Sequence, residues 1–276
     1  MASNELRCHY CGHQEAPPRT CPTCASTRIE TVGLGTEKIE DDLKIMLPEA
    51  RVQRMDLDTT RSKDAYQKIL ESFEQYQIDI LVGTQMISKG LDFDRVGLVG
   101  IFDADRLINF PDFRSHERAY QILTQVSGRA GRKNKEGRVI IQTYDTQQNL
   151  LAQVIRNDYE AMYLAQIEDR GMFLYPPFTR LILLVVKHPE RQTSRQASEK
   201  LAHRLVEKLG RARVLGPEPP IINRIRNKFL HHILIKIEKE KVDLKLVKRF
   251  ISYQVEQVIT QQVYKKVQVV IDVDPI

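Results

Sequence analysis

The chain has no tryptophan, and its four cysteines all fall between Cys8 and Cys24. That leaves too few cysteines, too closely spaced, for a disulfide-stapled secreted scaffold. No apolar run approaches the length of a membrane span. The opening residues MASNELRCHYCGH lack a basic segment followed by an apolar one, so a secretory signal is not expected and a cytoplasmic protein is. No stretch has the form G-x-x-x-x-G-K-[ST], which excludes that kind of phosphate cradle from this sequence. Internal repeats and low-complexity segments are absent as well.

What is present is ordinary globular material. The length of 276 residues suggests about two domains, and 42% hydrophobic and 28% charged residues fit a folded protein. The formal charge is +6 but is unevenly placed. From Pro177 onward 20 Lys and Arg stand against 10 Asp and Glu, while the residues before it carry 22 against 26. A basic C-terminal part suits polyanions or acidic peptides as partners, although a solvated basic surface has the same composition.

Cys8 and Cys11, then Cys21 and Cys24, make two C-x2-C knuckles nine residues apart. Four thiolates at this spacing suit a tetrahedral zinc ion. Gly12 and Pro22 favour the tight turns such knuckles need. The four sulfurs would fill the site, so the metal reads as structural and His9 and His13 as bystanders.

From Ile29 the pattern alternates between strands and helices. Strands are expected at Ile29–Leu34, Val52–Met55, Ile78–Val82, Val96–Ile101 and Val139–Gln142. Helices are expected around Ile39, Leu43 and Met46, around Tyr66, Ile69, Leu70, Phe73 and Tyr76, and over Leu150–Gln166. Such alternation argues a parallel sheet with ligands beyond the carboxyl ends of its strands. The polar loop Gly83–Phe93 falls at such a place. Gly35 and Thr36 open a helix and form either a phosphate-holding turn or an ordinary cap.

Another helix carries Ala119, Ile122, Leu123 and Val126 and is expected to break at Gly128 and Gly131. The run Gln125-Val126-Ser127-Gly128-Arg129-Ala130-Gly131-Arg132 then sets two arginines three residues apart, each after a glycine. Two guanidinium forks facing one concave spot suit a polyphosphate. A solvated basic loop fits the same eight residues.

Gly171 and Tyr175-Pro176-Pro177 mark a domain boundary. Beyond it the order is β-α-β-β-α-β, which resembles the ferredoxin-like split unit. The basic segment Arg224, Arg226 and Lys228 lies inside it.

Several motifs together resemble the C-terminal half of the PriA family of bacterial replication-restart helicases. The stretches are L-R-C-H-Y-C-G-H with C-P-T-C, Gly33-Leu34-Gly35-Thr36-Glu37, the run from Ile80 to Phe93, Pro111-Asp112-Phe113-Arg114, Gln125 to Arg132, Leu215-Gly216-Pro217 and Asp272-Val273-Asp274-Pro275. The resemblance implies an α/β chain: a RecA-like second helicase lobe, preceded by a partial zinc-binding module and followed by a ferredoxin-like α+β domain. The corresponding boundaries are 1–28, 29–147, a linker at 148–176, and 177–276.

It further implies an ATP-driven 3′ to 5′ DNA motor that restarts stalled forks by primosome assembly. Arg129, Arg132 and Gln125 would belong to motif VI, with the arginines reaching the γ-phosphate. Gly90 and Asp92 would lie near the nucleotide, and Thr84, Gln85, Gly35 and Thr36 near the DNA strand. The C-terminal domain is implied to bind DNA and the acidic tail of single-strand binding protein, placed on Arg224, Arg226 and Lys228.

Helicase motif II has no counterpart here, since Asp103 and Asp105 sit in another context. The chain is therefore expected to be inactive alone, with Mg2+ ligands and the phosphate loop on an upstream lobe. A further cysteine set is expected upstream too, so the knuckles here either close one site or stand incomplete. Two rival readings are a stand-alone zinc- and DNA-binding module and an adaptor for single-strand binding protein.

Overall fold

A computed structural model describes residues 6–7, 14–16, 18–21, 24–28, 35–56, 59–60, 62–84, 96–130, 137–239 and 243–275. The strand expected at Ile29–Leu34 lies outside them. The chain divides into two compact units, Glu30–Ile167, and Met1–Ile29 with Glu168–Ile276.

In the first unit, α1 (Thr36–Met46) precedes β3 (Val52–Met55), α2 (Lys63–Glu74) and β4 (Ile80–Gly83). Strands β3 and β4 pair in parallel, with Val52 opposite Ile80 and Met55 opposite Gly83. The β-branched and apolar residues of β4 and the apolar stripe of α2 meet in a small core of Met55 and Leu70, packed by Tyr66, Ile69, Phe73, Leu81 and Val96. At the amino ends of the pair, the Arg51 guanidinium forks both oxygens of Asp79 at 2.8 and 2.7 Å. That contact holds the Asp79 carboxyl well below the usual carboxylate range. Tyr76, expected on the apolar face of α2, instead lies past the helix in a left-handed conformation and is exposed.

A second parallel pair joins β5 (Leu98–Ile101) and β6 (Arg138–Ile141). Between them run α3 (Ala104–Ile108) and α4 (Ser115–Ser127), and after them α5 (Asn149–Arg156) and α6 (Tyr159–Met172). Ile101 and Ile141 pack on a core of Ile108, Ala119, Tyr120, Leu123, Leu150, Leu151 and Val154. The expectation of a buried strand at Val96–Ile101 is corrected here, because helices cover one face of this pair and leave Leu98 and Ile140 each 59% exposed. The single helix expected over Leu150–Gln166 is two helices. Asn157 takes a left-handed conformation that asparagine tolerates, and the Asp158 carboxylate accepts the Ala161 N–H at 2.9 Å to start α6.

The C-terminal residues form β7 (Thr179–His188), α7 (Arg191–Leu209), β8 (Val214–Glu218), β9 (Arg224–Ile225), β10 (Lys228–Glu238), α8 (Leu244–Ile259) and β11 (Gln268–Val273). The sheet order is β11-β7-β10-β8, every neighbour pair is antiparallel, and β9 adds to β10. The alternating apolar residues of β7 and β10 bury Ile182, Leu184, Val186, Ile233, Ile235 and Ile237 under Leu201, Leu205, Val247 and Ile251 of the two helices. Asp274 fastens the last strand. Its carboxylate accepts the Leu181 N–H at 3.2 Å and pairs with Arg180 at 2.5 Å, while its N–H donates to Leu181 O at 2.7 Å. Gly216 has φ +93°, and a Cβ there would lie 2.6 Å from His232 O, so glycine is required where β8 passes the irregular stretch of β10. Ahead of these, β1 (Leu6–Arg7) and β2 (Gln14–Glu15) form a short antiparallel pair.

Candidate functional site

The carboxyl ends of β3 and β4 carry the first group of expected site residues. Because the strands are parallel and Met55 faces Gly83, Asp56 and Thr84 emerge at the same end of the pair. Thr84 is exposed. Gly35 is the exposed N-cap of α1, and Thr36 follows it. The Thr36 hydroxyl donates to Asp56 Oδ2 at 2.7 Å. One hydrogen bond thus ties the Gly35–Thr36 turn to the strand end next to Thr84, and these candidates share one edge. Gln85, Gly90 and Asp92 lie outside the described residues.

Asp56 is itself 8% exposed. Its Oδ1 accepts the Thr59 N–H at 3.0 Å, and Arg54 Nε lies 3.2 Å from its Oδ2. Arg54 also stands 3.7 Å from Glu37 and from Glu40 on α1. A buried carboxylate is tolerated only with such partners. The sequence reading passed over Asp56. The sole signal for it was an acidic residue directly after a buried strand.

The second group sits at the end of α4. That helix begins from the Pro111–Arg114 loop, where the Asp112 carboxylate accepts the Arg114 N–H at 2.8 Å and pairs with Arg118 at 3.0 Å. Gln125 is exposed on the last turns of the helix. Gly128 is the C-cap, with φ −67°, and its N–H donates to Thr124 O at 2.9 Å. Arg129 follows, half-buried, and its N–H donates to Val126 O at 3.1 Å. Ala130 then forms a parallel bridge with Val96. Val96 also packs on the Met55–Leu70 core. The Gly-Arg run is thereby anchored beside the β3–β4 pair whose far end bears Thr84. Gly131 and Arg132 lie outside the described residues.

Asp105 has a different job from a catalytic acid. Its two oxygens accept the Thr143 hydroxyl at 3.0 Å and the Tyr144 N–H at 2.9 Å, which ties α3 to the chain leaving β6.

Of the four cysteines, Cys8 and Cys11 lie outside the described residues. Cys21 and Cys24 occupy a tight loop in which Cys21 O accepts the Ala25 N–H at 2.9 Å and the Cys21 N–H donates to Ser26 O at 2.8 Å. Ala25 has φ 56°. Among the described residues no group of three His, Cys, Asp or Glu is placed to hold a metal.

The basic segment near the C-terminus forms the β9–β10 hairpin. Lys228 pairs opposite Ile225, leaving Arg226 and Asn227 as the two-residue turn, both with positive φ. Arg224 lies over the Phe229 ring at 5.2 Å and donates to Asn227 Oδ1. Lys228 donates to Gln268 Oε1 at 2.8 Å. Arg224 and Arg226 are exposed at the tip. Among the described residues no helix is long and apolar enough to cross a membrane.

Comparison with known proteins gives two family matches. Residues 15–134 match the helicase conserved C-terminal domain, and residues 171–276 match the primosomal protein N C-terminal domain. The chain is 43% identical over 274 residues to the replication restart protein PriA of Bacillus subtilis, covering 98% of this chain and 33% of that protein. It is 40% identical over 275 residues to PriA of Synechocystis, covering 98% and 32%. Against PriA of Haemophilus influenzae it is 33% identical over 273 residues, covering 99% and 37%. The chain thus spans about a third of the length of the curated relatives it matches.

Proposed function

Since the chain belongs to the PriA family of replication restart proteins and carries a helicase C-terminal domain, we propose that it is the second motor lobe and C-terminal domain of an ATP-dependent 3′ to 5′ DNA helicase that restarts stalled forks. The observation that carries this reading is the Val96–Ala130 bridge. It ties Ala130 to Val96, which packs on the core beside the strand pair that ends at Thr84, and this supports one lobe carrying both sets of groups.

In this reading Arg129 and Arg132, with Gln125, complete an ATP site whose phosphate loop and Mg2+ ligands stand on a partner lobe. Gly90 and Asp92 flank the nucleotide. Thr84, Gln85, Gly35 and Thr36 follow the DNA strand. ATP-driven closure of the lobes then becomes a step along the phosphate backbone. The chain alone does not turn over ATP, because it has no phosphate cradle. The protein works in the cytoplasm.

The C-terminal domain takes the ferredoxin-like fold, supported by its 4-1-3-2 antiparallel strand order. Its basic hairpin at Arg224, Arg226 and Lys228 engages the acidic tail of single-strand binding protein, and other primosome proteins assemble on the complex. Forked and single-stranded DNA are the nucleic-acid partners. The domain limits are 1–28 for a partial zinc module, 29–147 for the lobe, 148–176 for the linker and 177–276 for the C-terminal domain. Cys8, Cys11, Cys21 and Cys24 would hold structural zinc, which would tie the two knuckles together.

The test is Arg132→Ala in the polypeptide that also carries the phosphate-binding lobe. DNA-stimulated ATP hydrolysis falls by about 10³ or more, while affinity for forked DNA stays nearly intact. An equal loss of both in a folded protein would favour a DNA-binding module with no motor role.

A further inference from the structure

The C-terminal unit holds a cavity of about 680 Å³ that none of the candidate site residues above lines. Arg191, Arg195 and Glu199 face it from the first turns of α7, Pro217 and Glu218 from the end of β8, and His231 from β10. Its volume is that of a site for a small molecule.

His231 is the feature that calls for a ligand. The residue is 7% exposed, yet it lines the cavity. Its Nδ1 lies 2.9 Å from Ser194 Oγ, and that hydroxyl is buried against Phe229 O and Val186 O at 3.2 and 3.3 Å. Nε2 has no hydrogen-bond partner among the described residues, so an otherwise enclosed ring keeps one polar atom for the cavity. With the Ser194 proton given to Nδ1, the ring hydrogen stands on Nε2 and is a donor.

The charges around this ring select the ligand. Arg191 is exposed and makes no ion pair among the described residues. Arg195 stands one turn further along α7, and its Nε donates to Glu199 at 2.8 Å, which leaves the rest of its fork open. Burial, then Arg191 and Arg195, hold His231 below the usual histidine range, while Glu199 and Glu218 act the other way. Two guanidiniums and a ring donor suit a phosphate monoester. Glu218, on the strand side, repels a bare phosphate but accepts from a hydroxyl or amino group. A phosphate joined to a body that carries such donors meets both sides of the cavity. A bare anion meets only one.

We propose that this cavity is a nucleoside monophosphate site, in which Arg191, Arg195 and His231 Nε2 hold the phosphate and Glu218 accepts a hydroxyl or amino group of the nucleoside. The phosphate belongs to a free nucleotide or to the 5′ end of a DNA strand, which present the same group. The site does not depend on the motor reading, since all its residues lie in the C-terminal unit.

Calorimetric titration of this chain with AMP, adenosine and inorganic phosphate tests it. AMP is expected to bind about tenfold more tightly than either of the others, because each of them meets one side only. Arg191→Gln lowers AMP affinity by about tenfold, the scale of one charge-assisted hydrogen bond. Lys208→Gln removes the same charge from the last turn of the same helix and leaves affinity alone. In an NMR titration AMP moves the His231 midpoint upward, because a bound dianion favours the imidazolium. A 5′-phosphorylated oligonucleotide is compared with its 5′-hydroxyl form to find the source. Tighter binding of the phosphorylated strand assigns the cavity to strand ends, and equal binding of the two beside bound AMP assigns it to free nucleotides.

Failure of AMP to bind at millimolar concentration, equal affinity for AMP and inorganic phosphate, or full affinity in Arg191→Gln would overturn the proposal. His231→Gln is expected to weaken AMP as Arg191→Gln does. Should that variant fail to fold, the NMR midpoint of the wild-type ring decides, and one that AMP leaves unmoved counts against the site.

Discussion

Ala130 and Val96 are bridged in parallel, so the residue that follows Arg129 in the Gly-Arg run is tied to a residue three positions past the Gly83–Phe93 loop. Two segments far apart in sequence therefore meet at this point.

Gly128 offers a direct test of why glycine precedes Arg129. Its φ of −67° is one that any residue adopts, and a Cβ would sit 3.4 Å from Thr124 O, at ordinary contact distance. Gly128→Ala is thus expected to leave stability level or raise it by up to about 1 kcal/mol, as read by urea unfolding. If DNA-stimulated ATPase in the lobe-complete protein nonetheless falls, the glycine serves close approach of the nucleotide. Full ATPase would show that it merely ends α4.

The hairpin tip makes the opposite trade. Arg226 has φ 48°, a left-handed conformation that costs an arginine about 1 kcal/mol relative to glycine. Arg226→Gly should stabilise the chain by about that amount and weaken capture of an acidic peptide. Stabilisation with undiminished peptide binding would remove the hairpin from the partner site.

The C-terminal sheet is expected to lose stability in mild acid. Burial, Arg191 and Arg195 hold His231 below the usual histidine range, with Glu199 and Glu218 pulling weakly the other way. His231 Nδ1 lies 2.9 Å from the Ser194 hydroxyl. Burial, Lys187 and His231 lower His232 likewise. A depressed folded value means that the unfolded chain takes up protons first as pH falls below about 6.5. Stability should then decline from that point until the folded values are passed. Urea unfolding between neutral and mildly acid pH checks this, and His232→Gln should flatten the slope.

The knuckles give a metal prediction. Reduced protein purified without chelator should carry zinc in a fixed ratio to chain, and Cys21→Ser should lower it. Prolonged chelation should release it and loosen the first residues to proteolysis. Absence of zinc in the reduced wild type would remove the metal from the reading.

How far the sequence could be read varied with the physics behind each feature. The strand at Val52–Met55 was legible to the residue, because a short apolar stretch bounded by polar residues has few other uses. Helix α2 was legible from its apolar period, although it ends at Glu74, before Tyr76. Strand order was suggested only for the C-terminal part, by the order of its elements, since hydropathy itself says which face is buried and nothing about neighbours. The break at Asn157 was missed because the apolar pattern runs through it and only the backbone angle reveals it. The exposure of Leu98 and Ile140 was missed because an apolar run looks the same whether one face is covered or both. In the candidate site, the residue types were legible and their tethers were not. Thr36 could be named from its place before a helix, whereas its bond to Asp56 depends on two segments meeting in space.

The sheet of the C-terminal unit has a consequence for how it is made. Its long central strand β7 finds both neighbours, β10 and β11, only in later residues, with the second at Gln268–Val273. On the ribosome β7 therefore emerges with two open edges and waits for almost the whole remainder of this segment. Holding such a strand safe from sticking to other nascent chains falls to chaperones and to the speed of translation, and a premature stop that removed Gln268–Val273 would leave one of those edges bare for good.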